Sequence, residues 1–167
     1  MGPAKALEQG LIPVKDYNRV KQCINAYHID KQEPYEHDQV RGLWLWGESG
    51  SGKSWDARHK YSGGTFYIKA QNIWWDGYNG EETVILDDLD ETHPGHNLKI
   101  WMDMYSNKGQ TKGGHVNLTY KRFIVTSNYS IEELFADKPK MIVPIQRRCK
   151  VIHYSTPYKG LPVVHTV

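Results

Sequence analysis

Short apolar runs recur along the chain, and most stop at a glycine, a carboxylate or an amide. "GLWLW" (42–46), "TFYIK" (65–69), "TVILDD" (83–88), "RFIVTSN" (122–128) and "KVIHY" (150–154) have the length and bulk of buried strands. Between them the spacing becomes helical. In 16–28, Tyr17, Val20, Ile24 and Tyr27 fall on one face, and Asp16 is placed to cap the start. Residues 54–60 follow the first strand as a helix. In 96–106, Leu98, Trp101, Met102 and Tyr105 share a face. Ser130 and Glu133 have the spacing of a capping box, so another helix starts there. "VPIQRRC" (143–149) reads as one more helical turn with Pro144 near its start. "NKGQTKGGHVNL" (107–118), basic and glycine-rich, reads as a hairpin or exposed loop. Strands alternating with helices predict an α/β fold: a central, mostly parallel sheet flanked by helices.

Composition narrows the classes only a little. The 167 residues suit one domain, and 39% hydrophobic content supports a globular chain. A formal charge of +2 is too small to argue for nucleic acid, so any polyanion-binding surface must be local or assembled from several copies. Cys23 and Cys149 are far apart and neither has a C-x-x-C partner, which points to no disulfide framework or zinc site and to a reducing compartment. With no signal-like start and no membrane-length apolar run, the expectation is a soluble protein without a membrane partner. The opening "MGPAKALEQG" reads as a linker, so the chain is expected to be a piece of something longer.

The first strand runs into "GESGSGKS", which fits G-x-x-x-x-G-K-[ST] with a strand before it and a helix after it. Gly47, Glu48, Ser49, Gly50, Ser51, Gly52, Lys53 and Ser54 are therefore the candidate nucleotide cradle. The glycines let backbone N–H groups point inward at phosphates, and the helix start adds its positive end. Lys53 is placed for the β- and γ-phosphates of ATP, and Ser54 for a magnesium ion. The metal also needs a carboxylate, and strand 83–88 ends in Asp87 and Asp88. In an open parallel sheet such strand ends lie on the same edge as the loop. Asp87 is the candidate metal residue, and Asp88 the candidate for polarising an attacking water. The competing reading makes "DDLDE" a solvated acidic turn.

A small-molecule kinase shares this loop, so the loop alone does not decide between phosphate transfer and motion. Three downstream features bear on it. Asn128 ends an apolar strand, where its amide would meet the γ-phosphate; otherwise it is a turn residue before the capped helix. Lys112 and His115 flank two glycines on the expected hairpin tip, which suits a single-strand backbone; otherwise they are solvated turn residues. Arg147 and Arg148 follow a short helical stretch, where one would serve as an arginine finger on a neighbour; otherwise they cap the helix end.

In order and type these pieces resemble the superfamily 3 helicases, and more closely the helicase domain of replication-associated proteins of circular single-stranded DNA viruses, the circovirus-like group. The resemblance rests on "GESGSGKS", "WWDGYNGEE" (74–82), "VILDDLD", "QTKGGHVNL", "FIVTSN" and "IQRRC", which together span about residues 43–150. The phosphate loop is generic; "WWDGYNGEE" and the spacing from TKGG to TSN are more specific.

The resemblance implies an AAA+-like P-loop fold and a ring, a hexamer, with ATP and Mg2+ between subunits. Lys53, Ser54, Asp87, Asp88 and Asn128 would act from one subunit, and Arg147 or Arg148 from the next. Lys112 and His115 would line the channel and grip single-stranded DNA during rolling-circle replication in the host nucleus. Residues 1–38 would hold a linker and a short helical oligomerisation element, 39–155 the ATPase domain, and 156–167 a C-terminal tail. Relatives carry an N-terminal nuclease that this chain lacks, so nicking and joining are not expected. An ATP-dependent DNA-binding module that does not unwind, and a helicase acting on RNA, both fit the same residues.

Other residues attract attention with less reason. Trp74 and Trp75 invite base stacking, but large aromatics more often supply packing area. Trp44 and Trp46 alternate along a strand and read as core; the alternative is that one of them walls the nucleotide. His93 and His96 read as part of a polar loop rather than a metal site.

Overall fold

A computed structural model describes residues 2–31 and 38–156. Most of the polar linker predicted at 31–38, including Pro34, and nearly all of the tail predicted from 156 fall outside them. Among the described residues, seven strands and six α-helical segments follow in order. They are α1 (Pro3–Glu8), α2 (Tyr17–Asp30), β1 (Gly42–Gly47), α3 (Lys53–Asp56), β2 (Phe66–Ile68) and β3 (Thr83–Leu86). After them come α4 (Gly95–Trp101), β4 (Asn107–Thr111), β5 (Gly114–Leu118), β6 (Arg122–Ser127), α5 (Ile131–Leu134), α6 (Ile142–Gln146) and β7 (Cys149–Tyr154).

Five strands form one sheet in the order β2-β3-β6-β1-β7, and every neighbouring pair is parallel. The α/β expectation therefore holds, with the sheet fully parallel rather than mostly so. β4 and β5 form a separate antiparallel hairpin. β3 is buried along its whole length and β6 after its first residue, as expected of central strands covered on both faces. One apolar layer gathers Trp44, Trp75, Tyr120, Phe123, Leu98 and Phe135; the other, smaller layer holds Leu45, Ala57, Ile85 and Ile124.

Three helices differ from the sequence reading. The opening stretch, read as a linker, forms helix α1 across Pro3–Glu8. Over 54–60, one α turn (α3) gives way to a π turn at Ala57–Tyr61. Over 96–106, α4 ends at Trp101. Arg41, only 3% exposed, explains the early end. Its guanidinium donates to the carbonyls of Asp103 (2.7 Å), Tyr105 (3.0 Å) and Tyr120 (3.2 Å), and draws that backbone out of a helical path. Leu98, Trp101 and Met102 are buried as the pattern demands, whereas Tyr105 is exposed. Near the start of the chain, Asp16 sits in a 3-10 turn (Val14–Asp16) that precedes α2. The capping box at Ser130 forms as read: Ser130 Oγ accepts from the Glu133 N–H and Glu133 accepts from the Ser130 N–H.

Candidate nucleotide site

β1 lies beside β6, and β6 lies beside β3, so the loop after β1, the amide after β6 and the carboxylates after β3 share one edge. The loop turns tightly there. Gly50 and Gly52 adopt φ of 78° and 92°, a region where side chains are strained. Gly47 is closed in from the other side, because a Cβ there would strike the backbone of Tyr154.

Lys53 is buried at 4% exposure. Its ammonium donates to the carbonyls of Gly47 and Glu48, both at 2.7 Å, to Ser51 Oγ at 3.3 Å and to Asn128 Oδ1 at 3.2 Å. Burial pushes its pKa down, while the carboxylates of Asp88 and Asp87 pull the other way.

Asp87 accepts three side-chain donors. Ser54 Oγ (2.7 Å) and Thr126 Oγ1 (2.6 Å) reach Oδ1, and Arg58 reaches Oδ2 at 2.8 Å. Partial burial works to raise its pKa, but the bonds from Thr126, Arg58 and Ser54 outweigh it and hold the carboxyl below its ordinary range. Asp88 is exposed and stands in the left-handed region at φ 52°. That conformation is rare outside glycine, asparagine and aspartate, and the Asp88 N–H is fixed to Thr126 Oγ1 at 2.8 Å. Lys53, Ser54, Asp88 and Asn128 line one cleft of about 240 Å³ together with Trp55.

The hydroxyl of Ser54 and the carboxylate of Asp87 are hard oxygen ligands that already converge, and they suit a magnesium ion. No group of three or more His, Cys, Asp or Glu side chains gathers as a metal site among the described residues. His93 is exposed, with Nε2 at 2.7 Å from the Gln71 carbonyl.

The remaining candidates stand elsewhere. Lys112 occupies the two-residue turn of the β4–β5 hairpin, and His115 pairs with Gln110; both are exposed. Arg147 and Arg148 follow α6. Because Gly42 pairs with Cys149 and its N–H donates to the Arg148 carbonyl, they sit at the start of β1, whereas the phosphate loop follows its end. Five strand steps of roughly 3.3 Å separate the two. Arg148 is engaged within its own chain: it bonds Asp103 at 2.7 Å and the Pro144 carbonyl at 2.9 Å. Arg147 is exposed.

Three site residues were missed in the sequence. Thr126 binds Asp87 and fixes Asp88; its signal is a hydroxyl directly after the apolar run Phe123–Val125 of β6. Arg58 had a signal in its spacing, four residues after Ser54, whose carbonyl it also bonds at 3.0 Å. Trp55 lines the cleft and stacks on His59 with centroids 4.4 Å apart. Of the tryptophans considered in the sequence, Trp44 and Trp75 are core and Trp46 is partly buried against His153, while Trp74 is 37% exposed.

The sequence model of the RNA helicase family matches residues 43–129, more than half of the chain. The chain is similar to the replication-associated protein of Beak and feather disease virus, 42% identical over 50% of this chain and 28% of that one. It is similar to the same protein of Porcine circovirus 1, 36% identical over 54% and 29%, and of Canary circovirus, 36% identical over 61% and 34%. The matched region spans about a third of the length of these relatives.

Proposed function

This chain belongs to the RNA helicase family, in the superfamily 3 form that its sequence resembles, and from that premise we propose that it hydrolyses ATP between subunits of a ring and moves along single-stranded DNA. The observation that carries the reading is the convergence of Lys53, Ser54, Asp87, Asp88 and Asn128 on one sheet edge.

Each residue has a task its surroundings support. The loop N–H groups and Lys53 hold the phosphates; phosphate oxygens would take over from the carbonyl acceptors that Lys53 now bonds. Ser54 and Asp87 would hold Mg2+, which when bound offsets charge on the phosphates. Asp88, fixed in an unusual backbone conformation, presents its carboxylate to the cleft and accepts a proton from the attacking water. Asn128 has its Oδ1 committed to Lys53, which leaves its NH₂ to orient that water or the γ-phosphate.

Arg147 and Arg148 lie a strand's length from their own phosphate loop, and this supports action on a neighbouring subunit. Arg148 already serves Asp103, so Arg147 is the better finger. Lys112 and His115, exposed on a hairpin outside the main sheet, would contact the strand in the channel of a hexamer. Replication in a host nucleus is the setting proposed for this activity. The relatives' names speak of replication, which favours DNA over RNA as the track.

The test is ATP hydrolysis across protein concentrations, with no nucleic acid, with single-stranded DNA and with single-stranded RNA. Turnover per subunit that climbs with concentration and responds most to DNA is the expected result. A flat turnover indifferent to both would overturn the ring reading and return the kinase to consideration.

A further inference from the structure

The adjacent tryptophans of "WWDGY" point in opposite directions. Trp75 is 1% exposed and lies against Tyr120, Trp101 and Phe123. Its backbone N–H donates to the Gln110 carbonyl at 2.9 Å, so this segment runs along β4 as an added edge. Trp74 forms a parallel bridge with Gln110, and residues opposed in a bridge share a face. The face of Gln110 is the outer one. Gly109 and Val116 are the buried pair of the hairpin, whereas Gln110 pairs with His115 and Lys108 with Asn117 on the other side. Trp74 therefore lies with Lys108, Gln110 and His115 on an exposed surface. The Asp76 carboxylate accepts the Lys112 N–H at 3.3 and 3.4 Å, so the segment is also tied to the hairpin tip.

We infer that Trp74 is a stacking platform for an unpaired base whose phosphates run over Lys108, Lys112 and His115. The proposal rests on the hairpin being the nucleic-acid surface. It adds that the surface recognises the flat face of a base as well as backbone charge. A tryptophan 37% exposed beside cations offers one π-face to a base, and stacking of this kind tolerates any sequence. A duplex keeps its base faces stacked and has none to offer, so the platform selects single strands. Because the Trp74 backbone is bridged to β4 and its neighbours are held by Gln110 and Lys112, the platform travels with the hairpin.

Two probes of equal length separate the contributions: oligothymidylate, and a deoxyribose-phosphate strand without bases, each titrated by anisotropy over a range of salt. Trp74→Ala should weaken oligothymidylate binding about tenfold or more. It should leave the base-free strand and the salt slope as in the parent chain, and Trp74→Phe should retain most of the affinity. Lys112→Ala should instead weaken both strands and reduce the log–log salt slope by about 0.7. Unchanged oligothymidylate affinity in Trp74→Ala, or equal loss on both strands, overturns the platform while leaving the lysine reading in place. A parent chain that binds neither strand overturns both.

Discussion

Asp87 holds two hydroxyls and a guanidinium on its two oxygens, and each donor constrains where a metal would sit. Thr126 matters twice, because its oxygen also accepts the Asp88 N–H. Thr126→Val keeps the shape and removes both bonds. Loss of such an outer partner usually costs about 10–100-fold in metal affinity or activity. The expected result is slower ATP turnover with a raised half-saturating Mg2+ concentration, read from hydrolysis against Mg2+. Lys53→Ala should abolish turnover in the same assay. A second residue gives a pH signature. Lys69 is 2% exposed, and burial lowers its pKa to about 8 from 10.5. Below about 8 the lysine is charged in the folded and unfolded chain alike. Between 8 and 10.5 the unfolded chain keeps a proton that the folded chain has lost, so stability rises with pH across that window. The rise amounts to about 3 kcal/mol at roughly 1.4 kcal/mol per unit. Denaturant unfolding at pH 8 and pH 10.5 should show it in the parent chain, and the difference from Lys69→Met isolates it.

At the scale of elements, the hairpin packs onto the body of the protein through Val116 and Leu118, and most tightly at Gly109. A Cβ on Gly109 would meet the Trp75 ring at 2.5 Å, with the ring held on several sides by other aromatics. Gly109→Ala should destabilise the protein by about 1–3 kcal/mol, as overpacking does, and thermal unfolding measures it. The strands were legible because apolar runs ending in carboxylate or amide leave few alternatives. The edge shared by Lys53, Asp87, Asp88 and Asn128 followed from the parallel arrangement. The end of α4 was not legible, because it is set by Arg41, whose acceptors lie 62 to 79 residues away in sequence. Arg58 was overlooked for a similar reason: its acceptor Asp87 is 29 residues distant and meets it only when β3 is placed. The opposite fates of Trp74 and Trp75 depend on pairing with β4, a register that neither residue's neighbours disclose.

For the whole molecule, the separation of the arginines from the phosphate loop turns into a test of assembly. Arg147→Ala and Lys53→Ala should each be inactive alone in the proposed ring. Mixed together, some interfaces pair an intact phosphate loop from the first with an intact arginine from the second. Turnover should then recover in the mixture, and it should not recover if each chain works alone. Arg148→Ala should behave differently, destabilising the fold by about 1–3 kcal/mol because Asp103 loses its guanidinium, as thermal unfolding would show. The order of the sheet has a last consequence, for shortened chains. Among the described residues, β7 alone covers the outer edge of β1, and it is the final strand described. A premature stop codon ahead of Cys149 would bare a row of unpaired amides and carbonyls on the very strand that carries the phosphate loop. Such an open edge recruits other strands, so the truncated product would collect in inclusion bodies rather than persist as a weakened soluble protein.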